Sequence, residues 1–208
     1  MNVLAVGAHF DDIEFGCSGT LMKHVRNGDK VTVLVITNSS YKDPDGVEIR
    51  SADVACSEGK KAADIIGAEM ICLGYDTFMV PYDEGLTKEL SRYVSQLNID
   101  TIYCHWVKDI HRDHHYTAKS TLMAGRHVPR FMMYRSNYYD AEEQFKGVFY
   151  SDISDVMDRK IEVMKAHASE LQRVENKWLD FFVKQNANHG MIIGVDYAEC
   201  FEVIRYLW

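Results

Sequence analysis

Two short stretches hold most of the side chains able to do chemistry. The first, His9-Phe10-Asp11-Asp12-Ile13-Glu14, places an imidazole and three carboxylates within six residues. The second is His105-Trp106-Val107-Lys108-Asp109-Ile110-His111-Arg112-Asp113-His114-His115. His9 and Asp12, three apart on a tight turn, can point at one ion, and Asp11 between them must point elsewhere. The spacing His111-x-x-His114 lets two imidazoles converge. One histidine of the second stretch, added to His9 and Asp12, makes a two-histidine, one-carboxylate set with an open position, the arrangement of a catalytic zinc. Ferrous iron takes the same set, so ligand count does not choose between Zn2+ and Fe2+. A divalent ion there would activate water and polarise a carbonyl oxygen. Asp11 is then placed to take a proton, and a second imidazole, His111, to steady an oxyanion or protonate a leaving amine.

Side chains of this kind must be delivered by rigid elements. Val3-Leu4-Ala5-Val6 reads as a buried strand that ends at His9, and Thr101-Ile102-Tyr103-Cys104 as a strand that ends at the second burst. Val31–Thr37 is apolar enough to be covered on both faces. Further strands are expected at Met70–Leu73, Phe131–Tyr134, Gly147–Tyr150 and Phe201–Ile204. Helical patterns run over Leu21–Arg26, Ser51–Ile66, Leu86–Leu97, Thr117–Arg126 and Asp155–Ala166. Asn38–Gly46 reads as a polar loop, and the stretch 169–196 shows no assignable pattern. Alternation of strands and helices at this spacing predicts an α/β fold, a mostly parallel sheet with helices on both faces. In such a sheet both bursts fall at the carboxyl edge, where open α/β sheets carry their sites.

Composition narrows the function. The 208 residues suit one domain, 1–208, with a sizeable core. A net charge of −8 argues against nucleic acid or an anionic membrane as the main partner. No apolar run approaches the ~18 residues of a membrane span. An amino terminus that begins a core strand leaves no place for a signal peptide. The five cysteines are scattered and never spaced C-x-x-C, which fits reduced thiols in a cytoplasm. A homo-oligomer is left open.

The residues also carry a resemblance. Ala8-His9-Phe10-Asp11-Asp12-Ile13-Glu14, followed by Gly16-Cys17-Ser18-Gly19-Thr20-Leu21, resembles the A-H-P-D-D-E…G-x-G-G-T-L signature of the LmbE-like / PIG-L family. His111-Arg112-Asp113-His114 resembles that family's H-P-D-H motif, and the likeness continues through Ile49-Arg50-Ser51, Lys165-Ala166-His167 and Tyr197-Ala198-Glu199. The resemblance implies a Rossmann-like fold and a zinc-dependent deacetylase of N-acetylated amino sugars and their conjugates. It implies His9, Asp12 and His114 as metal ligands and Asp11 as general base. His111 would stabilise the oxyanion, Asp113 would orient His111, and Arg50 would contact substrate. Trp106 and His167 are further substrate-side candidates. Core packing is the competing role for the tryptophan, and helix packing or capping for the histidine. Phe10 and Arg112 stand where the family usually has proline, which gives up the fixed φ of those turns.

Three other functions compete. An amidase on a non-sugar substrate would keep the metal and change the bond. A metal-binding protein without catalysis would have no use for Asp11 and His111. A dinucleotide-binding module fails on the first turn, which lacks G-x-G-x-x-G and presents acids where a pyrophosphate would sit.

Overall fold

A computed structural model describes residues 1–208. In chain order its elements are β1 (Asn2–Gly7), α1 (Asp12–Arg26), β2 (Lys30–Thr37), β3 (Tyr41–Lys42), β4 (Glu48–Arg50), α2 (Ala52–Ile66), β5 (Glu69–Tyr75), α3 (Glu84–Gln96), β6 (Thr101–His105) and α4 (Arg112–Ala124). They continue with β7 (Arg130–Tyr134), β8 (Phe149–Asp152), α5 (Met157–Lys165), α6 (Ala168–Arg173), α7 (Lys177–Ile193) and β9 (Ala198–Tyr206). Seven strands form one sheet in the order β5-β2-β1-β6-β7-β9-β8. The first five are parallel, and β9 returns antiparallel to both β7 and β8.

The period of two in β1 divides the core. Val3 and Ala5 join an apolar cluster with Leu21, Ile66 and Phe201, whereas Leu4 and Val6 join one with Leu86, Ile102 and Met133. Both faces of the sheet are therefore covered, as its continuous apolar strands require. At the carboxyl edge β1 ends at Gly7 and β6 at His105, in adjacent positions of the sheet, which brings the two polar bursts together.

Several elements differ from their sequence pattern for identifiable reasons. Helix α1 begins at Asp12, well before Leu21, because Gly16 and Gly19 weaken its helical signal. Gly16 is required by packing: a Cβ there would stand 2.2 Å from the Tyr134 ring. The expected polar loop after β2 contains a small hairpin, with Tyr41 paired to Arg50. The unassigned stretch 169–196 holds α6 and α7. Trp106, a candidate for stacking on sugar, lies in the core, 3% exposed and packed edge-on against Phe145. No helix is long and apolar enough to cross a membrane.

A buried ion pair joins α1, α5 and β9. Lys160 Nζ donates to Glu199 Oε1 at 2.6 Å and to Phe15 O at 3.0 Å. Glu199 also accepts the Gly19 and Thr20 N–H groups, both at 2.8 Å, and the Thr20 hydroxyl. Every charge in this pair is hydrogen-bonded, which is what makes its burial tolerable.

Candidate active site

The first burst is a turn held both by its own acids and by polar groups at the end of β2. Ala8 is pinned by Thr37, whose N–H and hydroxyl both reach the Ala8 carbonyl. The Phe10 N–H donates to Ser39 Oγ at 2.8 Å, and the His9 N–H to Asp12 Oδ2 at 2.7 Å. Asp11 takes φ 118, ψ −28, an uncommon backbone for any residue other than glycine, and its N–H donates to Glu14 Oε2 at 3.1 Å. This twist separates the two adjacent acids. Asp12 faces the histidines, and Asp11 faces the cavity beside them.

The second burst begins helix α4. His111 is its N-cap residue and His114 lies three positions on, so both imidazoles share one face with rings 4.5 Å apart. His114 Nε2 stands 3.1 Å from Asp12 Oδ1, and His9 Nδ1 stands 3.3 Å from Asp12 Oδ2. The far nitrogen of each ring meets a carboxylate. His9 Nε2 is 2.9 Å from Asp113 Oδ2, and His114 Nδ1 is 3.1 Å from Asp109 Oδ2.

Asp113 therefore orients His9 and not His111, a correction to the expected role. No hydrogen bond joins Asp113 to the His111 ring, whose Nδ1 is buried without a partner. The remaining bonds of Asp113 come from the Phe78 N–H at 2.7 Å and the Val80 N–H at 3.3 Å. Asp109, which the sequence did not single out, accepts the His111 N–H at 2.8 Å and both of its oxygens accept from Asn137.

These contacts set the charges. Burial alone would lower the pKa of His9, but the bonds to Asp113 and Asp12 outweigh it and raise it to about 9. Burial is likewise outweighed at His114 by Asp12 and Asp109, which raise it to about 10. The opposite holds at His111, where burial and the neighbouring His114 and His9 lower the pKa to about 4, leaving the ring neutral. Burial and the adjacent Asp12 charge push Asp11 up to about 7. Asp109 is held down at about 2, against its burial, by the bond to His114.

The donor set fits a divalent ion. Ligands ~2.0–2.1 Å from a tetrahedral centre stand ~3.3 Å from one another, and each of His9 Nδ1 and His114 Nε2 keeps such a separation from its own oxygen of Asp12, Oδ2 and Oδ1 respectively. Carboxylates on the outer nitrogens of both rings fix the tautomers that leave the inner nitrogens free. Two three-residue groupings have ligand atoms close enough to share an ion, His9-His111-His114 and Asp12-His105-His114; His114 is common to both, and the expected set of His9, Asp12 and His114 is drawn across the two. His105 Nε2 accepts the Ala8 N–H at 3.0 Å and stands 3.1 Å from Asp12 Oδ2, so binding an ion through it would cost the Ala8 bond.

These groups line a cavity of about 240 Å³. His9, Asp11, Asp12, Arg50, His111 and His114 all reach it. Arg50 is 3% exposed, its guanidinium bonded to Phe10 O at 3.1 Å and to Glu58 at 2.9 Å, with Nε left unpartnered. His167 does not reach the cavity, a second correction: it lies fully buried behind it, between Arg50 and Glu14. The mouth carries aromatic rings, among them Tyr41, Phe78, Tyr139 and Trp178, together with the Glu170–Arg173 pair. Ser136 and Asn137 also line it, and follow β7 as the bursts follow β1 and β6, so the carboxyl-edge rule would have found them. Glu170, Arg173 and Trp178 gave no such signal.

A mostly parallel, Rossmann-like sheet that carries a His/Asp cluster able to hold a divalent ion at its carboxyl edge defines a class of metal-site α/β proteins. Within that class, residues 4–124 match the family model described as PIG-L, GlcNAc-PI de-N-acetylase. That is more than half of the chain, and the chain belongs to this family of deacetylases. It is 26% identical to the diacetylchitobiose deacetylase of Thermococcus kodakarensis, over 95% of this chain and 80% of that protein. Its fold is similar to the N,N'-diacetylchitobiose deacetylase structure from Pyrococcus horikoshii, with TM-score 0.83 and 21% identity over 98% of this chain and 83% of that one. It is also similar to GalB, the 4-carboxy-2-hydroxymuconate hydratase of Pseudomonas putida, with TM-score 0.81 and 15% identity over 100% and 97% of the two chains. A fold shared by deacetylases and a hydratase does not choose the bond; the site must.

Proposed function

We propose that this protein is a zinc-dependent N-deacetylase that hydrolyses the acetamide of a small amino sugar or its conjugate. The observation that supports this reading is that Asp12 stands 3.3 Å from His9 Nδ1 and 3.1 Å from His114 Nε2, with both outer imidazole nitrogens held by carboxylates and a further carboxylate, Asp11, lining the cavity. A divalent ion held by His9, Asp12 and His114 would supply Lewis acidity toward water and an amide carbonyl. The Phe10–Asp12 turn presents Asp11 as the base that takes a proton from the attacking water. A carboxyl raised by burial toward neutrality is matched to that task. As the water oxygen bonds to the carbonyl carbon, negative charge grows on the carbonyl oxygen. His111, neutral and held by its N-cap position, donates an N–H to it. Cleavage of the C–N bond then returns the Asp11 proton to the leaving amine, giving acetate and a free amino sugar. Aromatic rings at the mouth supply flat apolar surfaces suited to sugar rings.

The test is amine release by zinc-loaded and chelator-stripped protein from N-acetylglucosamine, N,N'-diacetylchitobiose and a panel of non-sugar acetamides. Zinc-dependent release from the sugars in preference to the others is expected. Preference for non-sugar acetamides would make it an amidase of another kind, and no release with the metal bound would remove the catalytic assignment.

A further inference from the structure

Phe78 occupies the connection between β5 and α3 at the mouth of the cavity. It has two features that work against stability. Its φ is +67, the left-handed region that a bulky L-residue rarely adopts. Its side chain is 47% exposed, so little burial compensates. The backbone is held there from outside: the Phe78 and Val80 N–H groups donate to Asp113, and the Met79 N–H to Asp76 O at 3.1 Å. Glycine would adopt the same φ at lower cost and offer the same N–H to Asp113. The ring is thus not needed to build the loop.

What the ring does touch is the site. Its centroid is 5.9 Å from His111 at an interplanar angle of 35°, and 6.1 Å from Tyr41. An exposed apolar ring kept in a strained backbone at a cavity mouth, beside the group assigned to the oxyanion, is explained by what it contacts in the complex. The C–H face of a pyranose is a complementary surface, and the Phe78 ring lies beside His111. We infer that Phe78 is the platform for the sugar ring, the residue by which this site selects a cyclic substrate over an open-chain acetamide. The inference deepens the deacetylase assignment and takes the identity of the ring from it. Through Asp113, the same loop also buttresses His9, so the platform and a candidate ligand share one support.

The test compares zinc-loaded wild type, Phe78→Gly and Phe78→Tyr. Affinity for N-acetylglucosamine is measured by calorimetry or saturation-transfer NMR, and kcat/KM for N-acetylglucosamine against the open-chain N-acetylethanolamine. Phe78→Gly keeps the Asp113 bond and relieves the strain, so it should retain zinc and melt at the same temperature or higher. It should bind N-acetylglucosamine about tenfold more weakly, with the cyclic-over-open-chain preference falling by a similar factor, the scale of one lost aromatic contact. Phe78→Tyr should restore both. Unchanged sugar affinity in Phe78→Gly, an equal loss for both substrates, or zinc loss with a lower melting temperature would each overturn the inference, as would wild type that binds no N-acetylglucosamine. Sugar binding that depends on Phe78 without amine release would uphold the platform and refute the deacetylase assignment.

Discussion

Ser39 Oγ accepts the N–H of Phe10 at 2.8 Å, a bond that a proline at position 10 could not form. The turn that carries His9 and Asp12 thus exchanges a ring-locked φ for a hydrogen bond from the neighbouring strand end. The phenyl ring adds a second anchor, 1% exposed and packed on Gly59 so closely that a Cβ there would lie 2.2 Å from it. Ser39→Ala should leave the Phe10 N–H buried and unpaired, destabilising the protein by about 1–3 kcal/mol. Denaturant unfolding of the zinc-loaded protein checks this. Gly59→Ala should be at least as damaging, because the ring must move and the turn moves with it. At the second motif the missing proline matters less. Arg112 is the first residue of α4, where its N–H needs no helical partner.

The two carboxylates behind the histidines make separable predictions. Asp113→Asn loosens His9, and Asp109→Asn loosens His114 together with the N-cap of α4. Each should lower zinc affinity by roughly 10–100-fold, the usual cost of removing such a partner. A competition titration against a chelator measures it. Asp109→Asn should in addition reduce kcat in fully loaded enzyme, because His111 is held through the same carboxylate.

The raised histidines give a pH dependence of stability. His9 and His114 titrate at about 9 and about 10 in the metal-free fold, above the ordinary value near 6.5. Their favourable protonation is fully present below ~6.5 and is lost as pH rises through 9 to 10. Zinc competes with those protons. The gap in melting temperature between zinc-loaded and chelator-treated protein should therefore widen from pH 6.5 to pH 9. A gap that narrows would remove these two residues from the ligand set.

The buried pair predicts a large effect far from the cavity. Lys160→Met leaves Glu199 without its counter-ion at full burial and should cost about 3–5 kcal/mol. Zinc content per folded molecule should not change, which separates this from the effects at the site.

Much of this layout was legible in the sequence because the side chains able to do chemistry follow strand ends. Both bursts do so, and their strands lie side by side. The i,i+3 spacing also placed His111 and His114 on one face. What failed was proximity along the chain used as a guide to contact. Asp113 is two residues from His111 but touches His9, 104 positions away. Trp106 adjoins the second motif, yet its ring turns into the core. The wall formed by Glu170, Arg173 and Trp178 was unreadable because α6 has only six residues and α7 buries a narrow stripe, Phe182, Asn186 and Gly190. Neither shows a broad apolar period.

The adjacent acids Asp11 and Asp12 provide the sharpest test. They have the same side chain, and only the backbone distinguishes them: φ 118 at Asp11 turns its carboxylate away from the histidines that flank Asp12. Asp12→Ala removes one of three proposed ligands and the acceptor of the His9 N–H, so zinc and activity should fall together. Asp11→Asn keeps the shape of the turn and leaves the three ligands in place. It should retain zinc while losing about 10²–10⁴ in kcat, the usual worth of a positioned base. Its kcat/KM profile should also lose the acidic limb that the Asp11 carboxyl produces in the wild type. Zinc content and pH–rate profiles measured on both variants decide the matter. Zinc lost from Asp11→Asn and kept by Asp12→Ala would exchange the two roles, and with them the direction from which water approaches the amide.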